Sequence, residues 1–320
     1  MNRADIYLRE TLLEILEEGQ VDKEPRPKWE DGSPAHSKFV TQKVFQYNIS
    51  KGEFPITTLR PTALKGAWYD IEAIYLKQTN ILEEMHPSIH SWWKDFIVET
   101  KIKKLYKNSN SFFTDGTDEY EEVVEEQSLG NTYGHTIKRY NLMNKLLKGL
   151  EENPFGRRHV ISMWQEQQMI DYPQALTPCC YETLWSVRDD DSVDEMQTKW
   201  YKIRFIDITL IQRSQDFAVT SSINSVQYTM LAMMVANHLT FKTGIKHEVG
   251  KLLHIVQNCH VYLRHMDAVS ELLDRKPTGK QPKIELICES KDFYSHSIED
   301  FKFSGLEGIE KLKTTLEIAV

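Results

Sequence analysis

Cysteine is scarce in this sequence, which has four cysteines among 320 residues. Two of them, Cys179 and Cys180, are adjacent, so the chain has neither the framework of a disulfide-stabilised domain nor the paired spacing of a zinc site. We therefore expect no metal and a reducing, cytoplasmic setting. A chain of this length can enclose a full hydrophobic core without cross-links.

Long apolar runs and an excess of positive charge are also missing. Residues 1–19 mix charged and apolar side chains, unlike a secretion signal, and no window approaches a charge-free membrane-spanning length. The 39 basic and 47 acidic residues give a net charge of −8, which argues against a general nucleic-acid binder. Neither a membrane nor a nucleic acid is expected as a partner, and an anionic ligand would need a local basic pocket.

The composition is otherwise that of a globular protein, with 40% hydrophobic and 27% charged residues. Apolar periodicity predicts helices over 5–18, 63–78, 138–151 and 223–239, and strands over 45–49, 159–164, 181–187 and 201–212. A polar segment at about 99–127, first basic and then acidic, is interpreted as a surface insertion. This mixture, without repeats or a regular βαβ rhythm, predicts a single α+β domain over 1–320.

Several residues that could carry chemistry lie where predicted strands begin or end. Cys179 follows a proline at the start of one strand, and Arg213 follows the end of another. Arginine at such a position can bind phosphate or stabilise a thiolate, and Arg157 and Arg158 form a second basic pair. Together they suggest attack by sulfur on an anionic substrate. Taken singly, each has an ordinary alternative as a small core thiol or a surface ion pair.

Three further residues could bind a nucleoside. Asn224, near the start of the predicted helix over 223–239, offers donors and an acceptor in one amide, as reading a pyrimidine edge requires. Helix capping is the competing role. His260 and Tyr262 would project to the same face of a strand, although a hydrogen-bonded core pair is equally consistent with that spacing.

A series of short motifs makes the sequence more specific. They are Asp31-Gly32-Ser33-Pro34-Ala35-His36, Phe54-Pro55-Ile56-Thr57-Thr58, Leu129-Gly130-Asn131-Thr132-Tyr133-Gly134, Arg157-Arg158-His159, Leu176-Thr177-Pro178-Cys179, Arg213-Ser214-Gln215-Asp216, Cys259-His260-Val261-Tyr262 and Ile318-Ala319-Val320. Any one is weak, but their order and spacing resemble the thymidylate synthase family over nearly the full length. The resemblance is closest to the divergent type found in Bacillus and its phages.

The resemblance implies a fold and a reaction. The fold would be a single α+β domain with a central mixed sheet packed at the interface of a homodimer, and the active sites would be shared between subunits. The family's nucleophilic cysteine, here Cys179, adds to C6 of the uracil ring of deoxyuridylate (dUMP), and C5 then attacks the cosubstrate 5,10-methylenetetrahydrofolate. Tyr133 and ordered water would help to remove the C5 proton.

The resemblance also assigns binding residues. Those implied to hold the nucleotide are Gln212, Arg213, Ser214, His260 and Tyr262, with Asn224 reading the base and with Arg157 and Arg158 reaching the phosphate from the neighbouring subunit. Those implied to hold the folate are Trp93, Leu176, Asp216 and the C-terminal Val320, which would close over it.

The chain departs from the family pattern on the folate and methylene side. Asp70 stands where the family has a glutamate that handles protons near uracil O4, with Glu72 as a fallback that points elsewhere on the helix. His90 replaces the first tryptophan of the family's Ile-Trp-x-x-Trp motif, which lies beside the reactive methylene, and Trp93 keeps the second. A two-residue slip would put Trp92 at the first position instead.

Other departures affect the pocket wall and the early loop. Thr220 stands in place of a family glycine, and Ser222-Ile223 stands in place of Pro-Phe. The phosphate-binding arginine of the early loop has no obvious counterpart, and Arg26, Lys28 or His36 could substitute for it.

These departures favour a dUMP hydroxymethylase, in which water captures the methylene. Hydride transfer needs water to be kept out, and an imidazole at position 90 would admit it. Thymidylate synthase, in which folate supplies the hydride, is the alternative, and the retained Leu176 and Val320 support it. A non-catalytic nucleotide-binding homologue is the third hypothesis.

Overall fold

A six-stranded mixed sheet forms the centre of the protein in a computed structural model that describes residues 1–108, 118–171, 173–190 and 203–319. The strands of the described part are β1 (Gln20–Val21), β2 (Ser37–Asn48), β3 (Glu99–Asn108), β4 (Asp118–Ser128), β5 (Val160–Ser162), β6 (Cys180–Asp189), β7 (Ile203–Asp216), β8 (Lys246–Tyr262), β9 (Lys283–Leu286) and β10 (Phe301–Ser304). The sheet order is β1-β2-β8-β7-β6-β5, with β7 and β8 parallel and the other neighbours antiparallel. The predicted α+β fold with a central mixed sheet is confirmed.

One long buried helix backs this sheet. The helices of the described part are α1 (Arg3–Glu18), α2 (Leu64–Ile71), α3 (His90–Trp93), α4 (Gly134–Arg139), α5 (Leu142–Glu152), α6 (Glu166–Asp171), α7 (Phe217–Thr220), α8 (Ile223–Thr243) and α9 (Met266–Asp274). Helix α8 contacts β8 and β7 of the sheet as well as α2 and α5. Its apolar residues on several faces, including Val226, Met230 and Met234, are fully buried, so the methionine stripe belongs to the core.

Element boundaries differ from the sequence prediction where polar residues adopt special backbone conformations. The predicted helix over 138–151 is divided between α4 and α5 because Asn141 takes a left-handed conformation with φ 53°. The helix predicted over 63–78 continues beyond α2 as a π-helical turn, Glu72–Lys77. Strand β8 was not predicted, since buried histidines such as His254 interrupt its apolar pattern.

The strand register brings distant sequence motifs to one edge of the sheet. Parallel β7 and β8 end together, with Asp216 opposite His260. Antiparallel β6 begins at the same edge, where Cys180 pairs with Gln212. The first turn of α8 also lies here, because only α7 and a short turn separate it from β7.

The predicted insertion at 99–127 has a simple backbone arrangement. Strands β3 and β4 pair antiparallel as a separate two-stranded sheet, and residues 109–117 between them lie outside the described residues. Its placement on the surface stays a prediction. In the described part of the chain, no helix is both long enough and apolar enough to cross a membrane.

Candidate active site

A cavity of about 720 Å³ opens at the sheet edge where β6 begins and β7 and β8 end. Its volume lies in the range of small-molecule sites, about 300–1,000 Å³. Twelve of the site residues proposed from the sequence line it: Asp70, Trp93, Tyr133, Leu176, Cys179, Gln212, Arg213, Ser214, Asp216, Asn224, His260 and Tyr262. The fold therefore collects residues that are up to 192 positions apart in the chain, from Asp70 to Tyr262 (262 − 70).

Cys179 lies half-buried beside a guanidinium group. Nη2 of Arg213 is 3.5 Å from its Sγ and also donates to the carbonyl of Thr177 at 2.9 Å, while Nε donates to the carbonyl of Pro178 at 3.1 Å. The arginine is thus anchored on the backbone that leads into the cysteine. A cation beside sulfur stabilises the negative charge of a nucleophilic thiolate. Burial raises the pKa of neighbouring Cys180 well above its usual value, so that residue stays a thiol.

Tyr133 holds the cysteine backbone from the other side. Its hydroxyl oxygen accepts a hydrogen bond from the backbone N–H of Cys179 at 2.9 Å. Its own backbone has φ 46° and ψ −110°, a strained conformation for a bulky residue and one typical of functional sites. Burial, followed by the nearby Cys179, raises the pKa of Tyr133 well above its usual value, so its O–H stays available as a donor.

Asp70 is a buried carboxyl on α2 with two neutral donors. It accepts from Nε1 of Trp93 at 2.7 Å and from Nε2 of Gln227 at 2.6 Å. Burial raises its pKa to about 6, although both hydrogen bonds act in the opposite direction. Glu72, the fallback, instead forms an ion pair with Lys77 at 3.1 Å. Asp70 is therefore the carboxyl of this helix that lines the cavity and can hold or release a proton near neutral pH.

The Asn224 amide is hydrogen-bonded on both sides. Its Nδ2 donates to Oε1 of Gln227 at 2.9 Å, and its Oδ1 accepts from Nε2 of Gln212 at 3.3 Å. Gln212 also donates to the carbonyl of Ser214 at 2.8 Å, and its oxygen lies 2.8 Å from Nε2 of His254. Gln212 was expected to bind substrate, but its amide groups contact protein atoms, which suits it to orienting Asn224. Gln227 and His254 were not singled out from the sequence.

A second cluster of polar side chains surrounds the end of β8. Nδ1 of His260 lies 3.0 Å from Oδ1 of Asn258 and 3.5 Å from Oγ of Ser214. Burial lowers the pKa of His260 to about 4, so its ring is neutral at physiological pH. Tyr262 packs edge-on against it with ring centroids 5.2 Å apart, and Arg26 also lines the cavity. This corner offers neutral hydrogen-bonding groups with a cation nearby, as a sugar phosphate requires.

Asp216 and the C-terminal segment also line the cavity. Asp216 caps α7 by accepting from the N–H of Val219 at 3.3 Å, and burial raises its pKa to about 7 despite the charge of Arg60. Leu176 lines the cavity, as do Leu316, Ile318 and Ala319 near the C-terminus. Val320, which was expected to close over the folate, lies outside the described residues.

The structure separates His90 from the cavity. Nε2 of His90 lies 3.2 Å from the carbonyl of Met85, and the residue is not among those lining the cavity. The indole of Trp92 lines it instead and packs so closely on Gly66 that a Cβ there would lie 2.8 Å from the ring. The water-admitting role expected for His90 is thus not supported by its position, because α3 turns Trp92 inward in the manner of the two-residue slip.

Two other expectations concern basic residues. Arg157 and Arg158 are exposed and do not line this chain's cavity, as residues meant for a neighbouring subunit would be. Of the three candidates in the early loop, Arg26 lines the cavity, whereas His36 contacts Asp22 at 3.0 Å. Lys28 pairs with Pro34 through the backbone.

No group of three or more His, Cys, Asp or Glu side chains that could hold a metal occurs among the described residues. A cysteine beside an arginine, a buried carboxyl and paired amides in one cavity on a mixed sheet are the apparatus of a group-transfer enzyme.

The family model described as "Thymidylate synthase" matches residues 6–318. Thymidylate synthase from Streptococcus pneumoniae (strain 70585) is 35% identical over 322 residues, covering 99% of this chain and 100% of that protein. The enzyme of that name from Streptococcus thermophilus is 34% identical with the same coverage. The solved structure of thermostable thymidylate synthase A from Bacillus subtilis superposes with a TM-score of 0.72 at 26% identity, covering 99% of both chains.

The chain belongs to the thymidylate synthase family. The resemblance seen in the sequence motifs, including the divergent Bacillus-type placement, is confirmed. The family uses 5,10-methylenetetrahydrofolate as cosubstrate with dUMP and is generally dimeric.

Proposed function

We propose that this chain methylates C5 of dUMP, with methylenetetrahydrofolate supplying both the carbon and the hydride, as in a thymidylate synthase. The observation that carries the proposal is the indole wall: Trp92 and Trp93 line the cavity and His90 does not. Two indoles exclude water from the methylene, which hydride transfer requires. Among the departures that favoured water capture, the imidazole of His90 no longer supports it, because His90 does not line the cavity. The names of the streptococcal relatives favour the same product.

In this proposal Cys179 is the nucleophile. The Arg213 guanidinium 3.5 Å from its sulfur supports the thiolate form. Addition of sulfur to C6 of the uracil makes C5 nucleophilic, so that C5 bonds to the methylene carbon. Loss of the C5 proton, assisted by Tyr133 and ordered water, would break the bond from the methylene to the folate nitrogen and leave an exocyclic methylene on C5. Hydride transfer from the released tetrahydrofolate to this methylene would give the methyl group and dihydrofolate, and the Cys179–C6 bond would break as the C5–C6 double bond re-forms.

The nucleotide would be held by groups at the ends of β7 and β8. Arg213 and Ser214 would bind the phosphate, and His260 and Tyr262 the deoxyribose hydroxyl. Asn224 would read the base, donating to O4 and accepting from N3–H, with Gln212 orienting it. The presence of Cys179 in the same cavity as these groups also argues against a non-catalytic homologue, since nucleotide binding alone needs no nucleophile.

A homodimer that shares its active sites is part of the proposal. Arg157 and Arg158 would reach the phosphate of a second subunit, for which their exposure suits them. The sheet face away from α8 carries an apolar row, Val44–Ile255–Ile211, across three strands. Val44 is 52% exposed in the single chain. Apolar side chains open to water on a sheet face favour burial against a second copy.

The folate would lie on the side of Trp93, Leu176 and Asp216. Asp216 can donate or accept near neutral pH, since burial raises its pKa to about 7, and this suits contact with a pterin ring. Val320 would extend the C-terminal segment that already lines the cavity and close over the folate.

Hydroxymethylation of dUMP is the second candidate, favoured by Thr220 and Ile223 in the cavity wall, where the family has glycine and phenylalanine. The deciding experiment is mass spectrometry of the nucleotide formed from dUMP and methylenetetrahydrofolate, with dihydrofolate absorbance followed in parallel. We expect a methyl product and dihydrofolate in equal amounts. A hydroxymethyl product with tetrahydrofolate would contradict the proposal.

A further inference from the structure

Gln227 connects the base-reading asparagine to the buried carboxylate. Its Oε1 accepts from Nδ2 of Asn224 at 2.9 Å, and its Nε2 donates to Oδ2 of Asp70 at 2.6 Å. It lies one turn after Asn224 on α8 and is 3% exposed, so its amide has little access to water as an alternative partner. No motif of the sequence pointed to this residue.

The ionised carboxylate sets the direction of this chain of hydrogen bonds. A carboxylate only accepts, so Gln227 must turn its NH₂ group towards Asp70. Its oxygen then faces Asn224, which must offer Nδ2 to it. A reversed Asn224 amide would set two oxygens against each other at 2.9 Å, the present separation of Nδ2 and Oε1.

The other side of Asn224 is directed in the same sense. Its Oδ1 lies 3.3 Å from Nε2 of Gln212 and 3.5 Å from Nε2 of Gln215. Gln212 is itself held by His254, whose Nε2 lies 2.8 Å from its oxygen. Burial lowers the pKa of His254 to about 3, so the ring is neutral, and the contact requires the tautomer that carries hydrogen on Nε2. The amides therefore form one directed array.

We infer that Gln227 is a positioning residue that fixes the direction of the Asn224 amide and thereby the preference for a uracil over a cytosine nucleotide. The inference rests on the proposed function. Uracil presents an acceptor at O4 and a donor at N3, whereas cytosine presents a donor and an acceptor at the same positions. An amide held in one direction therefore matches one base and opposes the other.

The pH dependence of this preference reports on Asp70. The titratable groups that face it are Tyr75 in the π-helical turn, Tyr133 before α4 and Cys180 at the start of β6. Burial raises the pKa of all three, so each stays neutral where Asp70 titrates, at about 6. The wild-type preference for dUMP should fall as Asp70 gains its proton.

The test compares kcat/KM for dUMP and for deoxycytidylate (dCMP), measured as tritium release from C5 between pH 5 and 9. Gln227→Met keeps the length of the side chain but removes both hydrogen bonds. We expect the dUMP preference to fall about tenfold, the effect of one hydrogen bond. Asp70 would also lose a hydrogen-bond donor. The pH midpoint at which the dUMP preference falls on the acidic side should therefore rise by about one pH unit.

Gln227→Glu provides a conservative variant of the same size. Whether it shares one proton with Asp70 or is ionised, the introduced carboxyl still accepts from Nδ2 of Asn224, so the dUMP preference should be retained at neutral and at alkaline pH. Thr229→Val is the matched control, because Thr229 is buried on the same helix but donates only to the carbonyl of Ser225. It should leave both the preference and the midpoint unchanged.

The outcomes separate this inference from the proposed function. Wild-type enzyme without any preference for dUMP would overturn both. A dUMP-preferring wild type, with Gln227→Met retaining its preference and midpoint, would overturn the role of Gln227 alone. The same loss in Thr229→Val would also overturn it, as a general disturbance of α8. If Gln227→Met does not fold, retention of the dUMP preference by Gln227→Glu supports the inference, and loss of that preference overturns it.

Discussion

The indole Nε1 of Trp93 donates to Oδ1 of Asp70 at 2.7 Å, and this contact joins the proposed folate side of the cavity to the proposed base side. The carboxyl at position 70 is one methylene shorter than the glutamate of the family pattern. Its two carboxyl oxygens accept hydrogen bonds from Trp93 and from Gln227, one each. The shorter side chain thus still forms hydrogen bonds to two other residues of the site.

Replacement of this acid should change how stability depends on pH. Burial raises the pKa of Asp70 from 3.8 to about 6, so the folded state binds this proton more tightly than the unfolded state does. Relative to Asp70→Asn, the wild type should therefore gain about 2–3 kcal/mol in free energy of unfolding as pH falls from 6 to 4. Urea titrations of both proteins measure this difference. A pH-independent difference would mean that the carboxyl is not perturbed.

The indole of Trp92 should control the fate of the methylene. Trp92→His would admit water beside it, and we expect the hydroxymethyl share of the product to rise about tenfold, for a change in relative barrier of about 1.4 kcal/mol. Product ratios by mass spectrometry provide the measurement. His90→Trp is the matched control and should leave the ratio unchanged, because His90 lies outside the cavity lining. The reverse pattern would restore the water-admitting role of His90.

Shared active sites can be tested by mixing inactive subunits. Cys179→Ser lacks the nucleophile, and the double variant Arg157→Ala, Arg158→Ala lacks the arginines offered to the second subunit. Random reassociation makes half of the dimers mixed, each with one complete site, so about a quarter of wild-type activity should return. Activity that stays at the sum of the separate variants would show that each site is built within one chain.

Much of the fold could be predicted because local patterns agree with it. Helix α1 begins and ends near the predicted positions, with Asn2 accepting from the N–H of Asp5 and Gly19 at the C-cap. Strand β8 escaped prediction because His254 occupies a buried position, where its partners Ser225 and Gln212 make a polar ring acceptable. Such tertiary hydrogen bonds leave no periodic signal.

Some residues of the candidate site could likewise be predicted from the sequence, whereas others could not. Cys179 and Arg213 lie in short motifs that occur in the family's order, Asn224 lies near the start of a helix that the sequence predicts, and all three line one cavity. Gln227 and Trp92 were harder to find, since their roles depend on the side chains they meet across elements. Gly66 was the available signal for Trp92, because a residue without Cβ beside an aromatic ring permits close approach.

The proposed reaction depends most on sulfur chemistry at position 179. Turnover of dUMP by Cys179→Ser, measured beside its equilibrium binding of dUMP, tests this directly. We expect at least about a thousandfold loss of kcat, because the hydroxyl is a far weaker nucleophile, with binding affinity kept within a few-fold. Turnover at the wild-type rate would contradict the assignment of Cys179 as the nucleophile and the mechanism that follows from it.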